Sequence, residues 1–82
     1  MVKSFFGENF QKKFSKIKNK SLKDKIIKQF EKIGNNPEIG KPMRNVRKGT
    51  REVYISSYRL SYAYIKEEDK IIFLDLYHKD EQ

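Results

Sequence analysis

Gly49 to Tyr62, GTREVYISSYRLSY, is the stretch whose reading decides the fold. Val53 and Ile55 alternate with Tyr54, and Leu60 and Tyr62 alternate with Ser61, the period of two that marks half-buried strands. The two runs meet at Ser56-Ser57, a pair of turn-forming residues. A sheet of this kind buries one face and leaves the other free for chemistry. The side opposite Leu60 and Tyr62 carries Arg59 and Ser61, so a guanidinium is expected on a rigid element, with Arg51, Tyr54 and Tyr58 close by.

Working outward, a third strand is expected over 70–78, after strands over about 50–56 and 58–66. Lys66 to Lys70 forms a polar turn before it, and the IIFLDLY run is apolar enough for an interior strand. Strict alternation would put Asp75 on the same side as Phe73 and Tyr77, where it needs a basic partner. Upstream, PEIGKPMRNVRK (37–48) reads as a connection, with two prolines and a glycine. Before it the period changes. Phe6, Phe10, Phe14 and Ile17, then Leu22, Ile26, Phe30 and Ile33, repeat the same helical steps with lysines on the other side. Ser21 with Asp24 resembles a capping box for the second helix, and Gly34 is placed to end it ahead of Asn35-Asn36-Pro37. The short break between the helices favours an antiparallel helical hairpin. Met1 to Phe6 reads as a short first strand, with Phe5 or Phe6 turned to the core. Helices gathered before antiparallel strands predict an α+β fold, the hairpin lying on one face of a small, mainly antiparallel sheet.

Eighty-two residues make one domain, 1–82. A domain of this size buries only about 60% of its unfolded surface, so chemistry belongs on an open face or shallow groove. There are no cysteines, which excludes disulfides and thiolate metal sites and fits an intracellular, cytoplasmic setting. No apolar run approaches the roughly 20 residues of a membrane span, and MVKSFFGENF lacks the apolar core of a secretory signal. The formal net charge is +8, unevenly placed: residues 1–32 hold ten lysines and three acids. Lys41, Arg44, Arg47, Lys48, Arg51 and Arg59 face Glu52 alone between 41 and 59. Two basic clusters suit a polyanion or an acidic protein partner.

No metal or cofactor is expected. Asp75, His78, Asp80 and Glu81 are near in sequence but would not converge on a strand that ends in a tail. The glycines are too isolated for a phosphate loop, and His78 has no nucleophile elbow to serve. Metal-free RNA cleavage through the 2′-hydroxyl requires a proton acceptor, a proton donor and cations around the phosphorane. Arg59 offers a bidentate phosphate contact. His78 is the side-chain type that exchanges protons near neutrality. Tyr54, Tyr58 or Tyr77 offers a ring on which an unpaired base stacks.

The order of these segments resembles the RelE/ParE toxin superfamily of toxin–antitoxin modules. After a helical hairpin come NPEIGKPMR, Gly49 with Arg51, YRLSY, and IIFLDLYHKDEQ, so the resemblance runs from about Phe5 to the end. It implies a RelE-like fold and a ribosome-dependent mRNA endonuclease (an mRNA interferase) that enters the ribosomal A site and arrests translation. It also implies a RelB-like antitoxin that wraps the toxin in a hetero-oligomer. By position, Arg59 matches the arginine that holds the scissile phosphate, His78 the acid or base at the last strand's end, and Lys79 a neighbouring basic position. Lys41, Arg44, Arg47, Lys48 and Arg51 match basic positions facing RNA. Tyr54 stands where members often carry Arg or Lys, and is expected to take a catalytic place, its ring standing in for a C-terminal tyrosine of some members that this sequence lacks. The alternatives are a ParE-like protein that poisons DNA gyrase without cutting RNA, and a module that only binds RNA or its antitoxin.

Overall fold

A computed structural model describes residues 2–44 and 49–81, so the expected basic positions Arg47 and Lys48 lie outside the described residues. Five strands form one sheet: β1 (Lys3–Phe6), β2 (Lys41–Pro42), β3 (Arg51–Ile55), β4 (Tyr58–Ile65) and β5 (Lys70–His78). Their spatial order is β1-β5-β4-β3-β2. β1 runs parallel to β5, and every other pairing is antiparallel. Helices α1 (Glu8–Ser15) and α2 (Lys20–Asn35) separate β1 from β2. Both helices pack on one face of the sheet, which is the expected α+β architecture.

The apolar helical stripes meet the sheet as the periodicity requires. Phe10, Ile17, Ile26 and Ile33 are buried against Ile55, Leu60, Tyr62, Ile71, Phe73 and Leu76. Each large side chain taken from water contributes about 1.5–3 kcal/mol. Phe6, Phe10, Phe30 and Phe73 form one aromatic cluster, with ring centroids 4.8–6.0 Å apart. Phe6 therefore turns toward the core, although it stays 42% exposed at the sheet's edge.

Both expected ends of α2 shift. The cap is Asn19, whose Oδ1 accepts the Leu22 N–H at 3.1 Å, and Ser21 already lies within the first turn. Asparagine caps as well as serine and stands at the position from which its side chain reaches that amide. Gly34 is an ordinary helical residue, and α2 continues to Asn35. The Asn36 N–H still reaches Lys32 O at 3.0 Å, and Pro37 then ends the run. Ile17, expected within α1, follows it and is buried, its N–H bonded to Phe14 O at 3.1 Å.

The strictly alternating reading of β5 is also corrected. Tyr62 pairs with Phe73 but Ser61 pairs with Asp75, so Leu74 is the extra residue of a β-bulge. The bulge resets the phase. Phe73 and Leu76 both face the helices, while Asp75 and Tyr77 turn to the opposite, open face. Asp75 does find the expected base: Lys13 Nζ on α1 lies 3.7 Å from its Oδ1.

Candidate functional site on the open face

Directly paired residues in adjacent strands point to the same side of a sheet. Tyr54 pairs with Arg59 and Arg59 with Tyr77; next to this row, Lys41 pairs with Glu52, Glu52 with Ser61 and Ser61 with Asp75. These seven residues define the open face. Arg59 stands at its centre on β4. Its guanidinium carbon lies 3.9 Å above the Tyr54 ring, a cation–π stack, and its Nη1 donates weakly to Tyr58 O at 3.3 Å. Among the described residues no carboxylate forms an ion pair with it. The ring fixes the plane of the guanidinium while leaving its charge available to an anion.

Tyr54 is 58% exposed, so its ring is open to a ligand as well as to Arg59. Tyr77, the other neighbour of Arg59, is buried, and its hydroxyl donates to Glu52 Oε2. Of the three tyrosines expected to stack a base, Tyr54 is thus the one that offers a ring on this face. Tyr77 is engaged beneath it, and Tyr58 points to the helical side. The Glu52–Tyr77 hydrogen bond escaped the sequence reading. Glu52 stood out there only as a lone acid, and its distance of 25 positions from Tyr77 gave no cue.

His78 does not join Arg59. It pairs with Tyr58, whose ring it meets edge-to-face at 5.4 Å, and both line a cleft against α2. Arg59 and His78 therefore occupy opposite faces. Lys79, the first residue of a 3-10 turn after β5, is exposed, and its N–H donates to Ser57 O at 2.8 Å.

The basic connection divides too. Lys41 is exposed on the open face, and Arg44 is exposed beyond β2. Arg51, in contrast, is half-buried on the helical side. Its Nη1 donates to Glu38 O at 3.0 Å and Gly40 O at 2.8 Å, and its Nη2 lies 3.7 Å from the Glu38 carboxylate. It fastens the segment entering β2. Tyr62 completes that fastening: its hydroxyl accepts the Gly40 N–H at 2.9 Å and donates to Pro37 O at 2.8 Å. Burial pushes the Tyr62 pKa above the ordinary tyrosine value, against the opposing Gly40 hydrogen bond and Arg51 charge. A Cβ on Gly40 would stand 2.7 Å from the Tyr62 hydroxyl, so the position takes only glycine. Among the described residues no three His, Asp or Glu side chains form a group able to hold a metal ion, and no helix is long and apolar enough to cross a membrane.

Two helices on one face of a five-stranded, mainly antiparallel sheet make the α+β fold of RelE-like toxins. The structural comparisons agree. The RelBE2 toxin–antitoxin complex of Mycobacterium tuberculosis matches with a TM-score of 0.83 at 22% identity, over 94% of this chain and 96% of that chain. The YoeB/ParE toxin of Agrobacterium tumefaciens matches with a TM-score of 0.84 at 12% identity, covering 94% and 98%. The RelBE complex of Escherichia coli matches with a TM-score of 0.78 at 18% identity, covering 93% and 94%. No curated protein matches the sequence. The family model for the ParE toxin of the type II toxin–antitoxin system parDE matches residues 6–82. The chain belongs to that family and is the toxin of a type II toxin–antitoxin system.

Proposed function

We propose that this toxin arrests translation as a ribosome-dependent mRNA endonuclease, with the open face of the sheet as its RNA surface. The observation that carries the reading is Arg59: a cation on an interior strand, stacked on Tyr54 and without a carboxylate partner among the described residues. A guanidinium so held presents two N–H donors to a phosphodiester at little cost in side-chain freedom. It stabilises the extra charge of the phosphorane as the 2′-oxygen attacks and the 5′-oxygen leaves. Tyr54 offers a stacking surface and a phenolic proton beside it. Lys41 and Arg44, with Arg47 and Lys48, draw the backbone in, and Lys79 adds charge at the end of β5. Arg51 contributes through the fastening it provides at the entry to β2. His78 faces the helices, away from Arg59, which leaves the exposed Tyr54 hydroxyl as the proton-bearing group we assign to the place beside Arg59. An antitoxin is the expected protein partner, as in the toxin–antitoxin complexes of similar fold.

The opposite-face position of His78, together with membership of the ParE family, favours a second reading: a toxin that binds DNA gyrase and cuts nothing. A reconstituted translation reaction separates the two. With mRNA ends mapped by primer extension, the nuclease reading expects cuts only when ribosomes are present. It expects Arg59→Ala to reduce cutting by about a hundredfold or more. Unimpaired translation combined with inhibited supercoiling would overturn it in favour of gyrase.

A further inference from the structure

Arg59 has two carboxylates within reach on its own face, and it pairs with neither. Glu52 on β3 and Asp75 on β5 both stand opposite Ser61, so each is a diagonal neighbour of Arg59. Diagonal neighbours lie about 7–8 Å apart, a gap that long side chains span. Among the described residues, however, no ion pair joins Arg59 to an acid, and its guanidinium lies on the Tyr54 ring instead.

Each acid is held by another group. The Asp75 Oδ1 accepts the Leu76 N–H at 2.8 Å and lies 3.7 Å from Lys13 Nζ. The Glu52 Oε2 accepts the Tyr77 hydroxyl, and these two residues are only 3% and 4% exposed. A side chain rooted opposite Arg59 on β5 and ending on Glu52 of β3 has to cross β4, the strand that carries Arg59. The buried Ser61, next on that face, is small enough to leave room for the crossing. Both Glu52 and Tyr77 have further contacts, so the hydroxyl is one restraint among several. Its direction matters because a carboxylate and a phosphate compete for the same fork of guanidinium donors.

We propose that Tyr77 is a positioning residue for Arg59. By holding the Glu52 carboxylate with its hydroxyl, it keeps the guanidinium stacked on Tyr54 and open to a phosphate. The open-face reading above supplies what Arg59 binds, and the inference rests on it to that extent. How Arg59 is held follows from the contacts within the chain.

The test compares Tyr77→Phe, Glu52→Gln and the double variant by NMR of the whole chain. The readout is the set of Arg59 side-chain signals that the Tyr54 ring current displaces. Tyr77→Phe keeps the ring and removes the donor, and the displacement is expected to be lost as the guanidinium turns to Glu52. Glu52→Gln keeps an acceptor for Tyr77 without the charge, so it should match the parent. The double variant should regain the parent's signals although the hydroxyl is gone. A role confined to stability predicts no such rescue. In a second arm, affinity for a short 2′-O-methyl RNA, which cannot be cleaved, should fall about fivefold in Tyr77→Phe and return in the double variant. Unchanged Arg59 signals in Tyr77→Phe, no recovery in the double variant, or lost stacking in Glu52→Gln would each overturn the proposal. If Arg59→Ala binds the RNA as tightly as the parent, the open-face reading fails instead, and the Arg59 signals alone decide whether Tyr77 positions the guanidinium.

Discussion

Tyr62 shows how one side chain ties a loop to the sheet. Its ring is fully buried against Phe73, and its hydroxyl serves both Gly40 N–H and Pro37 O. Tyr62→Phe leaves a buried donor and an acceptor without that partner, so chemical denaturation should show a loss of about 1–3 kcal/mol. Its titration adds a pH signature. Because burial raises the folded-state pKa, the folded protein holds the phenolic proton more tightly than the unfolded chain does. The contribution is fully present below the ordinary tyrosine value of about 10 and is lost as pH rises through the folded-state pKa. Melting temperatures measured above pH 10 should therefore fall more steeply in the parent than in Tyr62→Phe. Equal slopes would remove Tyr62 as the cause. At the same scale, sequence reading found Arg59 and its aromatic neighbour Tyr54 because alternation fixes which residues share a face within one hairpin. It gave no hint that Arg51 would be consumed by the Glu38 and Gly40 carbonyls, which requires knowing where the preceding loop returns.

Apart from β2, a two-residue strand inside the 37–48 segment that reads as a connection and shows itself only by pairing with β3, the elements were legible to within a residue or two, since amphipathic period and turn chemistry are local properties. β3 and β4 join through the two-residue turn Ser56-Ser57, and Ser56 has φ 54°. A left-handed serine costs about 1–2 kcal/mol relative to the right-handed regions, a cost glycine does not bear. Ser56→Gly should thus raise stability by up to about 1 kcal/mol, after the greater freedom of glycine in the unfolded chain is offset. Thermal unfolding would register this as an increase of several degrees. A decrease would mean that the hydrogen bond from Lys25 Nζ to Ser56 Oγ, 3.4 Å long, outweighs the backbone term. What an element's own sequence did not reveal is register. The bulge at Leu74 shifts the phase of β5 by one residue, and the pairing of His78 with Tyr58 sends the histidine to the helical side. Both depend on a partner strand, so counting along one strand cannot find them.

Across the molecule, the basic composition and the class of fold were readable together, because layer architecture follows from the order of helices and strands. The assignment of groups to the two faces was legible within the β3–β4 hairpin, where Arg59 and Ser61 lie opposite Leu60 and Tyr62, but not for β5. The surplus of positive charge leads to a further expectation. Binding to single-stranded RNA should weaken steeply with salt, log K falling linearly with log salt at a slope of about −0.7 per phosphate neutralised. Charge reversal Lys41→Glu on the open face should flatten that slope, as measured by fluorescence anisotropy. A slope insensitive to this change would place the RNA elsewhere on the surface.

The parallel pairing of β1 with β5 also governs when the toxin comes into being. β5 is the last-made strand of the sheet, yet it lies between β1 and β4 and supplies Ile71, Phe73 and Leu76 to the core. During synthesis the segments of both helices emerge before β5, which supplies Ile71, Phe73 and Leu76 of the surface they pack on. The first strand waits for a neighbour encoded more than sixty positions later. Arg59 acquires its flanking Tyr77 only then. A chain interrupted before β5 lacks the strand that joins β1 to β4, so the sheet and its open face are completed only when β5 is made.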